Sequence, residues 1–502
     1  MTPPRRKKSD QEPAVDTPIY LGNYSNGEMF HWQTERERRI REYVLKEAGE
    51  RARRHGIDRR SFLSSAMGMA LTLGALELGQ GCSSSKSKRG MDPGGNFDAT
   101  EPDDADACEA VLSPGDTFIF DVQTHHIDRV TSGNASFLNG ISYAHCGKGL
   151  LGCLGFDEFL ELVFLESDTT VAILTTVPFK PQDIPLSNTD IIRSMDAVNG
   201  AAKGTQRLLN HCAVLPNYDT ENQLVMMEDV AKSRGVVGWK SYTSWRPSST
   251  GPGYWLDDDV GRAFIEKARS LGPKIFSTHK GLPLTSSDPA YLDPQDIPRA
   301  AKLYPDCSFI VYHSAYHFGG STEGPFERVG ATARVGTNSL INSMMDSEVG
   351  PNENVYAELG TTWGAVMRTP TKAAHLLGKL IKYVGEDNVL WGTDAIWGGS
   401  PQPQIEAFMA FQISPEFQEQ YGYPALTKEL KAKILGLNAA RLYDIDVSAT
   451  RCAVKNGPLA DAKRELDERF GKRRWATRRP AIQTWQDYVA NARAHEKLGL
   501  PG

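Results

Sequence analysis

From Thr117 onward, short runs rich in β-branched and aromatic residues alternate with segments whose apolar positions recur at helical spacing. Eight runs predict strands: 117–123, 170–176, 212–215, 236–242, 274–279, 309–313, 355–359 and 389–393. The intervening segments, such as 257–271 and 371–384, carry helix-period apolar residues and end near glycine, as helices commonly do. Strict alternation predicts an α/β fold with a parallel sheet, and eight repeats point to a closed (β/α)8 TIM barrel. An open doubly wound sheet is the alternative, weakened in its dinucleotide-binding form because no Gly-x-Gly-x-x-Gly follows the first strand.

The pattern divides the chain into 1–82, 83–112, 113–446 and 447–502. Residues 1–57 are charged, carry the cluster Glu35-Arg36-Glu37-Arg38-Arg39, and are expected to form a long pre-signal region with one helix. Asp58-Arg59-Arg60-Ser61-Phe62-Leu63 then leads into a weakly apolar run from Ser64 to Leu78. Together these resemble a twin-arginine export signal, with an amphipathic helix as the plainer alternative. The run is shorter than the roughly 18 to 20 residues a membrane span needs, and Glu77 would sit inside it. A cleavable signal is therefore expected, implying contact with the twin-arginine export machinery and a location in the periplasm or on the outer side of the cytoplasmic membrane. Cys82 stands where a bacterial lipoprotein signal places its lipidated cysteine, although Gln80 is bulky where small residues are usual; a lipid there would give peripheral membrane attachment. Residues 83–112, rich in Ser, Lys, Gly, Asp and Pro, have linker composition. Residues 447–502 form a charged tail with a helix-like stretch at 483–494, expected to pack as a helical extension on the barrel's outside.

With 502 residues, 40% hydrophobic and 24% charged, the chain can bury a full core, and its net charge of −6 with no basic stripe makes nucleic acid an unlikely partner. Function is to be sought in a pocket for a small-molecule substrate. Besides Cys82 there are six cysteines, of which Cys146 and Cys153, close together in a Gly-rich loop, are the first candidates for a disulfide.

In a barrel, active-site groups come from the carboxyl ends of the strands. The first predicted strand leads into Gln123-Thr124-His125-His126, the fourth into Trp239-Lys240-Ser241-Tyr242, the fifth into Ser277-Thr278-His279, the sixth into Tyr312-His313 and the eighth into Gly392-Thr393-Asp394. A catalytic metal needs imidazoles and carboxylates converging from different elements, a need that His125, His279 and Asp394 meet. Gln123 shares a strand face with His125 but offers only a weak, neutral carbonyl oxygen. Lys240, Tyr242 and Trp397 are candidates for substrate contact, with a structural ion pair equally open for Lys240. His126 and His317, displaced from the convergent positions, and Glu358, on the seventh predicted strand, are further polar candidates.

Asp121-Val122-Gln123-Thr124-His125, His279, Tyr312-His313, Gly392-Thr393-Asp394 and the closing segment Ile434-Leu435-Gly436-Leu437-Asn438-Ala439-Ala440-Arg441-Leu442-Tyr443 together resemble the amidohydrolase superfamily, in its amidohydrolase-related branch with aminocarboxymuconate-semialdehyde decarboxylase-like enzymes. The resemblance covers about residues 118–446. It implies metal ligation by His125, His279 and Asp394, with His313 beside the metal-bound water or substrate, and a divalent metal, zinc before manganese. That family usually has His or Glu where this chain has Gln123, which puts metal affinity in question.

The expected function is metal-dependent hydrolysis of a small carbonyl-containing substrate, with Asp394 taking a proton from water and His313 stabilising negative charge. Non-oxidative decarboxylation is the close rival. An exported binding protein that has lost the metal through Gln123 is the non-enzymatic alternative.

Overall fold

A computed structural model describes residues 16–78, 93–98, 101–232, 236–248, 251–283, 287–317 and 323–473. Its centre is an eight-stranded parallel sheet: β1 (Phe120–Thr124), β2 (Val171–Leu174), β3 (Leu208–Ala213), β4 (Val236–Ser241), β5 (Ile275–His279), β6 (Ser308–Tyr312), β7 (Val355–Glu358) and β8 (Val389–Leu390). Each strand pairs with the next in sequence. The sheet closes where the Val122 N–H donates to the Trp391 carbonyl at 3.0 Å and Thr124 bridges Ala395 in parallel. The barrel expected from the alternation is present.

The helix Asp259–Leu271 shows how local signals place the elements around it. Asp258 caps its start, accepting from the Gly261 N–H, while Gly272 ends it at φ 115°, a conformation glycine adopts freely. Phe264, Ile265 and Ala268 turn inward and are fully buried. Strand β3 begins four residues before the expected 212–215, because the polar Asn210 and His211, both buried, break the apolar run that marks a strand. His211 is satisfied there by Ser277 Oγ at 2.8 Å and Tyr443 Oη at 2.9 Å.

Within residues 1–82, the region expected as a leader, helices pack on the barrel where the structure describes them. Helix α1 (Glu35–Arg54) starts with a Thr34–Glu37 capping box and buries Ile40, Val44, Ala48 and Ala52, one stripe at four-residue spacing. The apolar run becomes helix α2 (Ala66–Glu77), buried on nearly every face within the same hydrophobic core as barrel residues Trp239, Phe276 and Phe309. Among the described residues no helix is long and apolar enough to cross a membrane. Cys82 lies outside the described residues.

The expected linker is likewise structured where it is described. Residues Gly95–Phe97 pair antiparallel with Phe411–Ile413, and the helix Ala105–Leu112 buries Cys108 and Leu112. In the C-terminal extension, Val447–Ala453 and Pro458–Phe470 are helical, and the buried Arg473 ties it to the body through Glu406 at 2.9 Å and Glu109 at 2.8 Å. The expected helix at 483–494 lies outside the described residues. Cys146 and Cys153 form a disulfide.

Candidate metal centre

Four residues at strand ends converge on the barrel mouth: His125 after β1, His279 closing β5, His313 after β6 and Asp394 after β8. All are buried, at no more than 3% exposure. His313 and Asp394 both stand at φ 61°, a left-handed backbone that costs a non-glycine residue on the order of 1 kcal/mol and persists only where its surroundings impose it. Glu358 supplies part of that constraint, its carboxylate accepting the His313 N–H at 2.9 Å. Asp394 is held through its own N–H, which donates to the Gln123 carbonyl at 3.0 Å.

The three imidazoles are oriented alike. His125 Nδ1 lies 3.0 Å from the Thr175 carbonyl, His279 Nε2 2.7 Å from the Leu282 carbonyl and His313 Nδ1 2.8 Å from the Gly360 carbonyl. A carbonyl cannot donate, so each of these nitrogens carries the proton and each neutral ring turns a bare lone pair toward the centre. His279 Nδ1 and His313 Nε2 then face each other at 3.1 Å with no proton between them. His125 Nε2 likewise meets a carboxylate oxygen of Asp394 at 3.1 Å. Lone pairs so arranged repel unless a cation sits among them. Two nitrogens on a tetrahedral zinc would stand about 3.3 Å apart, given bonds of 2.0–2.1 Å. The residues present therefore fit a metal ion.

The sequence pattern did not disclose the other contributor. Residues 24–28 run into the barrel mouth, docked by the Ser25 N–H on Ser142 Oγ at 2.7 Å and by an antiparallel bridge between Asn26 and Ile141. Asn26 donates to Asp394 Oδ2 at 3.2 Å and to Thr361 Oγ1 at 3.1 Å. Glu28 brings its carboxylate within 3.7 Å of His279 Nδ1 and 3.8 Å of His313 Nε2. Among the described residues, Glu28, His279 and His313 form the one group of three His, Cys, Asp or Glu side chains whose donor atoms all lie within 4.8 Å of one another. His125 and Asp394 form an adjoining pair, joined to it through Gln123. The Asn26-Gly27 dipeptide is a turn signal in the sequence, but nothing local links it to a barrel about a hundred residues later.

Gln123 turns its amide nitrogen to Asp394 Oδ1 at 2.9 Å, while its buried carbonyl oxygen finds no hydrogen-bond donor. Trp397 stacks on His125, with ring centres 5.2 Å apart, and Tyr242 stacks on His279 at the same separation. Lys240 is fully buried, its Nζ lying 3.3 Å from the centre of the Tyr312 ring and 4.6 Å from that of Tyr242, with no hydrogen-bond acceptor. His126 points away from the centre, onto Ser194 Oγ at 2.9 Å. Trp363 belongs to the hydrophobic core, its indole N–H bonded to the Gln404 carbonyl.

Burial governs the protonation of the group. It lowers His279 well below the ordinary imidazole range, with the neighbouring His313 adding to the effect, and lowers His313 to about 4. Burial raises Glu28, reinforced by the charge of Asp394. Burial also opposes ionisation of Asp394, yet His125 and the Thr361 hydroxyl hold it well below the usual carboxylate range. Lys240 is lowered to about 7 by burial, despite the opposing charges of Glu28, Glu358 and Asp394.

The family model described as amidohydrolase matches residues 193–445, about half of the chain. No curated protein matches the sequence. Solved structures similar to it include 2,6-dihydroxybenzoate decarboxylase from Rhizobium, 16% identical over 66% of this chain and 99% of that one, with a TM-score of 0.40. A dihydroxybenzoic acid decarboxylase from a Polaromonas species, with bound manganese and 2-nitroresorcinol, is 17% identical over 66% and 97%, with a TM-score of 0.41. For 5-carboxyvanillate decarboxylase from Sphingomonas paucimobilis the values are 12%, 66%, 100% and 0.39.

Proposed function

The chain belongs to the amidohydrolase family, and we propose that it is a metal-dependent enzyme that removes carbon dioxide from a small carboxylated substrate at the centre between His125, His279, His313 and Asp394. The observation that carries this preference over hydrolysis is the hydrogen bonding of Asp394. Its two oxygens offer about four lone-pair sites. Gln123 Nε2 donates to Oδ1, and Asn26 Nδ2 and Thr361 Oγ1 donate to Oδ2. A carboxylate so filled, and held well below its ordinary pKa, is poorly suited to take a proton from water.

A divalent metal bound here would supply positive charge beside the substrate's carboxylate or carbonyl oxygen. Zinc is the first candidate, because imidazole and carboxylate donors suit it, with manganese the second. Tyr242 and Trp397 flank the two imidazoles with flat apolar faces that suit a planar substrate. Lys240 is assigned the proton that replaces the departing carboxyl group: the carbon–carbon bond breaks, its electron pair stays on the substrate carbon, and carbon dioxide leaves. The second reading is hydrolysis, which the family description itself favours.

For export, the paired Arg59 and Arg60 support a twin-arginine route. Cleavage near Cys82 would remove Asn26 and Glu28 from the centre, so we propose that the N-terminal region stays with the barrel.

The full chain, loaded with one equivalent of zinc or manganese, is to be incubated with a panel of small carboxylic acids, amides, esters and lactones in oxygen-18 water. Carbon dioxide release without label in the organic product supports decarboxylation. Label in a newly formed carboxyl group, without carbon dioxide, replaces it with hydrolysis.

A further inference from the structure

We infer that Glu28, carried into the barrel mouth by the N-terminal segment, is itself a ligand of the metal, sharing one divalent cation with His279 Nδ1 and His313 Nε2. The inference rests on the metal dependence proposed above and adds to it a ligand from outside the barrel. The Glu28 side chain is only 5% exposed, and its carboxylate faces two imidazole nitrogens whose rings have already given their protons to backbone carbonyls. At 3.7 and 3.8 Å it is hydrogen-bonded to neither. A buried carboxylate is costly unless something of opposite charge meets it. A cation between the two nitrogens, 3.1 Å apart, and the Glu28 carboxylate, whose Oε1 lies 3.7 Å from His279 Nδ1 and Oε2 3.8 Å from His313 Nε2, satisfies all three groups at once. Two His and one carboxylate, with a position left open, is also a donor set used by catalytic zinc.

The backbone is built to deliver this carboxylate. Asn26 Oδ1 accepts the N–H groups of Glu28 and Met29, each at 3.0 Å, closing a turn over Gly27. Gly27 stands at φ 89°, and a Cβ there would meet the Phe137 ring at 2.8 Å, so the turn and its close approach both require glycine. Gln123, which faces Asp394 with its amide nitrogen, gives the group no anionic oxygen.

The test uses the full chain, Glu28→Gln and Glu28→Asp, freed of metal by chelation and titrated with zinc and with cobalt. Affinity is read by competition with a chromogenic chelator and coordination by the cobalt visible spectrum. Glu28→Gln, folded by circular dichroism, is expected to bind at least about tenfold more weakly, a loss reported even for residues that only support metal ligands. Glu28→Asp keeps the charge but withdraws the oxygen, and is expected to bind cobalt with an altered spectrum. Wild-type affinity in Glu28→Gln, or a wild-type spectrum in Glu28→Asp if the first variant does not fold, overturns the inference. Unchanged affinity with faster turnover in Glu28→Gln would also overturn it, making the segment an inhibitory plug. A wild-type chain that binds neither metal would instead sink the functional reading beneath it.

Discussion

Asn26 Nδ2 lies 3.2 Å from Asp394 Oδ2 across 368 positions of sequence, joining the N-terminal segment to the carboxylate that follows the last barrel strand. The same amide reaches Thr361 and its oxygen closes the turn before Glu28, so one side chain fixes both ends of the arrangement. Asn26→Asp would set a carboxylate against Asp394 and replace a donor by an acceptor. Hydrogen exchange over residues 16–31 is expected to rise by at least about tenfold, since losing two buried hydrogen bonds costs on the order of 2 kcal/mol locally. Unchanged protection would show that other contacts hold the segment.

The segment also bears on access. The cavity beside the centre, bordered by Tyr24, Thr361, Arg368 and Gly398, has a volume of about 90 Å³, against roughly 300 Å³ or more for ordinary small-molecule pockets.

Removing residues 1–82 should do more than clear the mouth. Met69, Leu73 and Leu76 of α2 have no exposure, and each represents about 2 kcal/mol of burial. The chain 83–502 is expected to unfold at a lower temperature than the full chain and to bind a hydrophobic dye at rest. Equal melting temperatures without dye binding would show that the barrel is independent of its N-terminal region.

These helices explain where the sequence could and could not be read. The strand-end positions of His125, His279, His313 and Asp394 were legible because β/α alternation sets both the barrel and the face its site occupies. An apolar run such as Ala66–Glu77 is ambiguous in principle, since a helix buried on all sides and the apolar part of an export signal share one composition. Glu28 was illegible for another reason: its place depends on Ser142 and Ile141, more than a hundred residues away, and no local periodicity encodes that docking.

His375 offers a pH prediction away from the centre. Burial lowers it to about 4, with the charge of Lys379 adding to the effect, while the unfolded chain's imidazole titrates near 6.5. Below that value the unfolded state binds the proton and the folded state does not, so stability is full above about pH 6.5 and falls as the pH drops toward 4. His375→Phe is expected to lose less stability than wild type between pH 7 and pH 5, by at most about 2 kcal/mol in denaturant unfolding. Parallel losses in both proteins would contradict this assignment.

The account stands most directly on the metal content of the full chain. Elemental analysis of protein purified without chelators, beside His279→Ala, His313→Ala and the control His126→Ala, is predicted to find about one divalent ion per chain in wild type and control and far less in the other two. Wild-type protein that holds no divalent ion, even after exposure to zinc and manganese, would contradict it.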